Sequence, residues 1–286
     1  MTTLPPEPQG TTETGGFNFA QAAHLQRRVA EGFGASAGRY DRARPTYPAD
    51  LLDRIVAASP RRAYSEPYVL DVGCGTGIAA RLFQAAGCRV LGVDPDPRMA
   101  ELARQGGTET EVAKFEDWDP AGRRFDTVIA AQAWHWVDPV GGVAKAAEVL
   151  RPGGRLAVFW NAFDSSADLR EAFGEVFRRA LPDSPLAGFW SRPAVDTYRA
   201  GCAKVAEVIR HAEAFGEPEE WLSSWERPYT RDEWLDLVPT TGGFTQHPGA
   251  IQRELLDGLG AAVDAAGGTF TVSCTTVAAT AARLAS

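Results

Sequence analysis

Val69–Leu70–Asp71–Val72–Gly73–Cys74–Gly75–Thr76–Gly77 runs from apolar residues through an acid to three glycines at alternate positions, and Ile78–Ala79–Ala80–Arg81–Leu82–Phe83 follows as helix-forming sequence. The pattern reads as a buried parallel strand, a tight turn and the start of a helix. Glycine has no Cβ, so the backbone turns sharply and a ligand can approach its amides. The following helix aims its dipole and its unpaired N–H groups at the same place. Such a turn is a nucleotide-type site.

Spacing separates the nucleotides. A dinucleotide loop is G-x-G-x-x-G with the pyrophosphate on the helix N-terminus. Here the glycines are Gly73, Gly75 and Gly77, and Ile78 stands where the third dinucleotide glycine belongs. Asp71 sets a carboxylate beside the loop, which repels a pyrophosphate and attracts an ammonium. S-adenosylmethionine carries that ammonium together with a ribose. Asp94 closes the next apolar strand, Arg89–Val90–Leu91–Gly92–Val93, about 20 residues beyond the glycines, where an acid meets ribose hydroxyls. A NAD-dependent dehydrogenase leaves Asp71 without a purpose. A non-catalytic protein binding S-adenosylmethionine or S-adenosylhomocysteine would carry the same loop.

The stretch Asp71–Gly77, with Gly92–Val93–Asp94–Pro95–Asp96, resembles the cofactor signature of class I S-adenosylmethionine-dependent methyltransferases. Arg123–Arg124–Phe125–Asp126–Thr127–Val128–Ile129–Ala130 resembles the fourth strand of that family, and Ala147–Glu148–Val149–Leu150–Arg151–Pro152–Gly153–Gly154–Arg155–Leu156 the helix, turn and strand after it. Upstream, Phe33–Gly34–Ala35–Ser36–Ala37–Gly38–Arg39–Tyr40 and Arg44–Pro45–Thr46–Tyr47–Pro48 resemble the opening of one branch, that of trans-aconitate methyltransferase. Tyr229–Thr230–Arg231–Asp232–Glu233–Trp234 and Thr269–Phe270–Thr271–Val272 also fit that branch.

The resemblance implies an α/β fold: a Rossmann-like, seven-stranded, mostly parallel sheet with a helical cap. It implies methyl transfer to a small-molecule acceptor, through a carboxylate or a hydroxyl, without a metal. By the same resemblance Asp71 meets the methionine ammonium, directly or through water, backbone at Gly73, Gly75 and Gly77 lines the cofactor, and Asp94 takes both ribose hydroxyls. Pro95 and Met99 touch the adenine, Glu116 and Asp117 meet its edge, and Ala131 ends the fourth strand beside it. Tyr40 and Arg44 fold over the cofactor, where Arg44 can pair with its carboxylate; Arg44 or Arg192 would dock an anionic acceptor.

Gln132–Ala133–Trp134–His135–Trp136 follows the fourth strand, on the carboxyl edge where open α/β sheets bind ligands. In an extended stretch Trp134 and Trp136 face one side and His135 the other. Aromatic walls suit a sulfonium and its acceptor, and His135 is the candidate general base. Gly34–Ala35–Ser36–Ala37–Gly38 matches the G-x-S-x-G nucleophile elbow, but the charged, glycine-broken Arg27–Gly32 precedes it instead of a buried strand.

The 286 residues are 44% hydrophobic and 23% charged, as expected of a globular protein large enough for one domain with a cap. A net charge of −8 without a Lys/Arg cluster argues against a nucleic-acid partner. The polar start, residues 1–16, is expected to be a disordered tail with no signal peptide, and no apolar run reaches membrane-spanning length. Cys74, Cys88, Cys202 and Cys274 form no C-x-x-C pair, so no zinc site is expected, and reduced thiols suit a cytoplasmic monomer or homodimer.

Residues 17–286 read as one methyltransferase domain. A helix is expected over 19–33 and another after Pro48. Strands follow at 68–72, 89–93, 110–114, 125–130 and 154–160, alternating with helices at 77–86, 97–105 and 140–150, the pattern of a doubly wound sheet. Segments 17–47 and parts of 161–234, with Trp190, Trp221, Trp225 and Trp234, are expected to form the cap, and Val205–Ala206–Glu207–Val208–Ile209 is a candidate strand. A helix at 251–265 and a strand at 269–274 close the sheet.

Overall fold

The computed structural model describes residues 34, 36–60, 65–182, 193–241 and 243–285. The expected tail over 1–16, the expected helix over 19–33, Trp190 and Arg192 lie outside them. Two short helices come first, α1 (Ala37–Ala43) and α2 (Ala49–Ala57). Then strands and helices alternate: β1 (Tyr68–Val72), α3 (Ile78–Ala85), β2 (Arg89–Asp94), α4 (Pro97–Gln105), β3 (Glu109–Val112), β4 (Phe125–Ala131), α5 (Pro139–Val149) and β5 (Leu150–Asp164).

These five strands lie in the order β3-β2-β1-β4-β5, every pair parallel. Their side chains alternate between two faces. Leu70, Val72, Val128, Ala130, Leu156, Val158 and Trp160 pack on the face covered by α5. Val69, Ile129, Ala157 and Phe159 pack with Leu51, Leu52 and Ile55 of α2 and Phe83 of α3. Chain order reverses between β1 and β4, which puts the ligand crevice of a doubly wound sheet beyond the ends of those two strands.

The rest of the chain adds α6 (Ala167–Ala180), α7 (Ala194–His211), β6 (Glu219–Thr230), α8 (Arg231–Leu237), α9 (Gly249–Ala265) and β7 (Thr269–Ala282). β7 inserts between β5 and β6 and runs antiparallel to both, so the seven-stranded sheet is mixed and only β7 opposes the others. β5 spans 15 residues against five in β1, and its outer part, with β6 and β7, projects past the parallel strands. That projection carries a second core. Leu169, Phe173 and Phe177 of α6, Trp234 and Leu237 of α8, and Leu255, Leu259 and Val263 of α9 pack there on Tyr229, Val272 and Cys274. α1 joins this lobe through Ala43.

Three expectations need correction. Val205–Ile209 is helical: Cys202, Val205 and Ile209 repeat at three and four residues, and α7 buries that stripe against the sheet core. Residues 219–230, expected in the cap, form the edge strand β6, whose alternate positions Trp221, Ser223 and Tyr229 point inward. Its Pro228 is tolerated because an edge strand has one side free of ladder bonds. The strand expected at 269–274 runs on to Ala282, as β6 partners Thr269–Thr280 and β5 partners Ser273–Ala282. Among the described residues no helix is long and apolar enough to cross a membrane.

Candidate active site

The loop after β1 is built by its glycines. Gly73, Gly75 and Gly77 adopt φ values of 63°, 55° and 85°, which L side chains avoid. At Gly73 there is a second demand: a Cβ would sit 2.5 Å from that of Ala133. At Gly75 a Cβ would meet nothing within 4 Å, so the loop opens there. Four amides of this loop are already used. Gly73 and Cys74 donate to the Val93 carbonyl, Gly77 to the Cys74 carbonyl and Gly75 to Asp94 Oδ2. A phosphate cradle needs such amides free. This loop is shaped by glycine but does not offer them.

Asp71 lies behind the loop, fully buried, and neither carboxylate oxygen has a hydrogen-bond partner at standard geometry. Burial, then the nearby charge of Asp94, push its pKa up to about 8, against a weak opposing pull from the Ala80 amide. Displacement from 3.8 to about 8 represents on the order of 5 kcal/mol disfavouring the buried charge. A cation brought alongside would recover much of it.

Asp94 ends β2 and joins two turns. Its Oδ2 accepts the Gly75 amide and its Oδ1 the Asp96 amide, both at 2.8 Å. Burial raises its pKa to about 6 despite those two bonds. Each oxygen keeps a lone pair, as two adjacent hydroxyls require. Pro95 is exposed and Met99 buried, at the turn into α4 and on its first turn. Glu116 and Asp117 share a 3₁₀ turn after β3; Glu116 Oε1 accepts the Asp138 amide at 2.6 Å, and Asp117 is exposed.

Residues 132–136 depart from expectation. Gln132 takes a left-handed φ of 62°, and Trp134–Trp136 wind into a 3₁₀ turn instead of running extended. The turn sends Trp134 into the core, close to Phe115 and Gly142, so it is a packing residue and not a wall. Trp136 is half-buried, with its ring 4.6 Å from that of His135. Ala131, half-buried, pairs with Phe159 at the end of β4.

The geometry also corrects the role expected of His135. Trp160 Nε1 donates to its Nδ1 at 3.2 Å. An indole N–H can only donate, so Nδ1 carries the lone pair and the proton sits on Nε2. Burial, with the charge of Arg44 adding to it, lowers the His135 pKa to about 4. A neutral ring whose free lone pair is already engaged is a hydrogen-bond donor at neutral pH, not a base.

Arg44 leaves α1 with its guanidinium 4.9 Å from the Tyr40 ring centre; Nη2 donates to the Thr240 carbonyl, while Nε is buried without a partner. Its charge reaches His135, Tyr47 and Tyr198, whose phenols burial holds above their ordinary pKa. Tyr47, Tyr198 and Trp160 were missed from sequence. Tyr47 stands in the Arg44–Pro48 segment with nothing local to mark a role, Trp160 closes an apolar run, and Tyr198 carries no sequence signal. Among the described residues no group of three or more His, Cys, Asp or Glu side chains could hold a metal.

Comparison with known proteins matches residues 70–158 to a methyltransferase domain. The chain is 36% identical over 234 residues to the uncharacterised methyltransferase Rv3342 of Mycobacterium tuberculosis H37Rv, covering 81% of this chain and 85% of that one. It is 34% identical over 180 residues to malonyl-[acyl-carrier protein] O-methyltransferase of Enterobacter lignolyticus, covering 62% and 68%. A solved structure from Anaeromyxobacter dehalogenans, described as a type II methyltransferase, shares the fold with a TM-score of 0.56 at 24% identity, over 84% of this chain and 97% of that one.

Proposed function

The chain belongs to the methyltransferases and uses S-adenosylmethionine as its methyl donor; from that premise we propose that its acceptor is a small acidic molecule, methylated on an oxygen that arrives already ionised. The observation that carries the cofactor's placement is Asp71, an unpartnered buried carboxylate beside a loop four of whose amides are occupied. That combination fits an ammonium and a nucleoside and disfavours a diphosphate. Asp71 holds the ammonium, directly or through water, and backbone at Gly73, Gly75 and Gly77 lines the cleft. Asp94 accepts from both ribose hydroxyls. Pro95, Met99 and Ala131 border the adenine. Asp117 is better placed than Glu116 for its edge, since Glu116 already serves Asp138.

Bound S-adenosylmethionine supplies an electrophilic methyl on a sulfonium, which needs neither metal nor covalent intermediate. The protein's task is alignment in a site that excludes water. Burial and the charge of Arg44 make His135 a weak base, neutral near pH 7, and burial favours the protonated phenols of Tyr47 and Tyr198. A hydroxyl acceptor would need a base; a carboxylate does not. Arg44, His135 Nε2–H and the two phenols are all donors, which favours an anion. Tyr40 and Arg44 close over the cofactor from above, and Trp136 faces the transfer path.

A panel of small carboxylic acids and matched alcohols, assayed for S-adenosylhomocysteine and methyl ester, tests this. Turnover is expected with acids and not with alcohols. Turnover confined to alcohols overturns the acceptor assignment, and a chain that does not bind S-adenosylmethionine overturns the whole reading.

A further inference from the structure

Three side chains stand in one row across the antiparallel part of the sheet. Asn161 of β5, Thr276 of β7 and Ser223 of β6 are direct register partners, and all three are buried. Buried polar groups persist where their hydrogen bonds are complete. Here a donor-only group sets the direction of the whole chain. Trp225 Nε1 donates to Thr276 Oγ1 at 3.1 Å, and Thr276 passes its own proton to Asn161 Oδ1 at 2.6 Å. The Asn161 amide must therefore turn Nδ2 away, and it donates to the Thr46 carbonyl at 3.1 Å.

The other end of the row does the same. Ser223 Oγ donates to the Asp50 carboxylate at 2.6 Å. One short stretch of chain is gripped at Thr46 and at Asp50, with Pro48 between them at φ −68°. Arg44 and Tyr47 flank the gripped carbonyl. Tyr47 packs edge-on to Phe159 at 5.0 Å, on the face of β5 that Asn161 shares. On the opposite face the preceding residue, Trp160, holds His135. Successive residues of one strand thus fix two walls of the site.

We propose that Asn161 is a positioning residue for methyl transfer: with Thr276 and Ser223 it clamps residues 46–50, so that Arg44 and Tyr47 are held across the cofactor cleft. The proposal rests on the placement of the cofactor given above. Thr280 provides a matched control. It is as buried as Thr276 on the same strand, but its hydroxyl bonds the Leu156 carbonyl and Arg155 and none of residues 44–50.

The test is calorimetric binding of S-adenosylhomocysteine to the full chain, with thermal melting and amide hydrogen exchange over 44–50. Asn161→Asp is expected to weaken binding about tenfold and to speed that exchange. Thr276→Val should do the same to a smaller extent, and it carries the test if Asn161→Asp fails to fold. Thr280→Val should lower the melting temperature and leave both readouts unchanged. In an Arg44→Ala background each clamp substitution should weaken binding by less than it does in the wild type, the remainder being the part carried by Tyr47, although each still lowers the melting temperature. If the wild type binds and the clamp variants bind equally well, or if their losses add in full to that of Arg44→Ala, the clamp is overturned. A wild type that binds nothing overturns the functional reading and the clamp with it.

Discussion

The ligand edge of the parallel strands and the polar row across the antiparallel strands treat buried polar groups in opposite ways. In the parallel half, at the β1 and β2 ends, Asp71 is buried without a partner, Asp94 is held near a pKa of about 6 and three glycines sit in left-handed conformations. In the antiparallel half, Asn161, Thr276, Ser223 and Thr280 complete their bonds with one another and with neighbouring segments. The α8 start is closed by a capping box of Thr230 and Glu233. The Tyr229 hydroxyl, His247 Nε2 and Arg283 Nε, each buried without a hydrogen-bond partner, are exceptions there, and no contact explains them. The difference separates roles. The Asp71 carboxylate is left unsatisfied where a ligand can satisfy it, whereas the polar row of Asn161, Thr276 and Ser223 finishes its bonding internally.

The largest expected effect tests whether the parallel half holds the cofactor. Asp94→Ala removes two charge-assisted acceptors and should weaken S-adenosylhomocysteine binding about 100- to 1,000-fold by calorimetry. It should also lower the melting temperature, because the Gly75 and Asp96 amides lose their acceptor. Near-normal affinity would remove the ribose assignment.

Next comes the independence of the halves. Phe173→Ala opens a cavity beside Trp234 in the outer lobe and should cost about 3–5 kcal/mol in denaturant unfolding. Cofactor affinity, measured where the variant is still folded, should stay within about twofold of wild type. A parallel loss of affinity would show that the lobe and the cofactor edge act as one unit.

Asp71 sharpens the contrast through pH. The folded chain keeps this proton up to about pH 8, whereas the unfolded chain releases it near pH 4. Between those limits the folded state binds more protons, so this group's contribution to stability falls as pH rises. Asp71→Asn should melt above wild type at pH 8, with the gap closing toward pH 4. An ammonium favours the carboxylate, so wild-type affinity for S-adenosylhomocysteine should rise from pH 6 to 8. The variant should bind about tenfold more weakly and without that rise.

The smallest effect concerns His135. With a pKa of about 4 it is neutral at every pH from 6 to 8. His135→Gln should therefore lower kcat by about tenfold at most and leave the kcat profile flat over that range. An ionisation near pH 6.5 that vanishes in the variant would restore the base.

What could be read in advance follows the same division. β1, β2 and β4 announce themselves as apolar runs, and Asp71, Gly73, Gly75, Gly77 and Asp94 come together because consecutive strands pair beside one another. β6 was hidden: its inward positions include Trp221 and Ser223, and its outward ones glutamates and a proline, so no hydrophobic alternation shows. α7 was hidden differently, because five residues of Val–Ala–Glu–Val–Ile alternate like a strand while the longer stripe is helical. The 3₁₀ turn at Trp134–Trp136 followed from a left-handed Gln132, which its residue type does not announce.

From the linear chain alone come the strand-loop-helix unit, the acid ahead of it and the ribose acid after it, because glycine conformation, apolar period and like-charge repulsion act over a few residues. Folding decided the rest. His135 became a donor through Trp160, 25 residues away, and the segment bearing Arg44 and Tyr47 was seated by Asn161, 115 residues from Thr46. A hydrogen bond's direction and a group's desolvation depend on neighbours in space, and these neighbours exist only after the antiparallel strands have closed against the parallel ones.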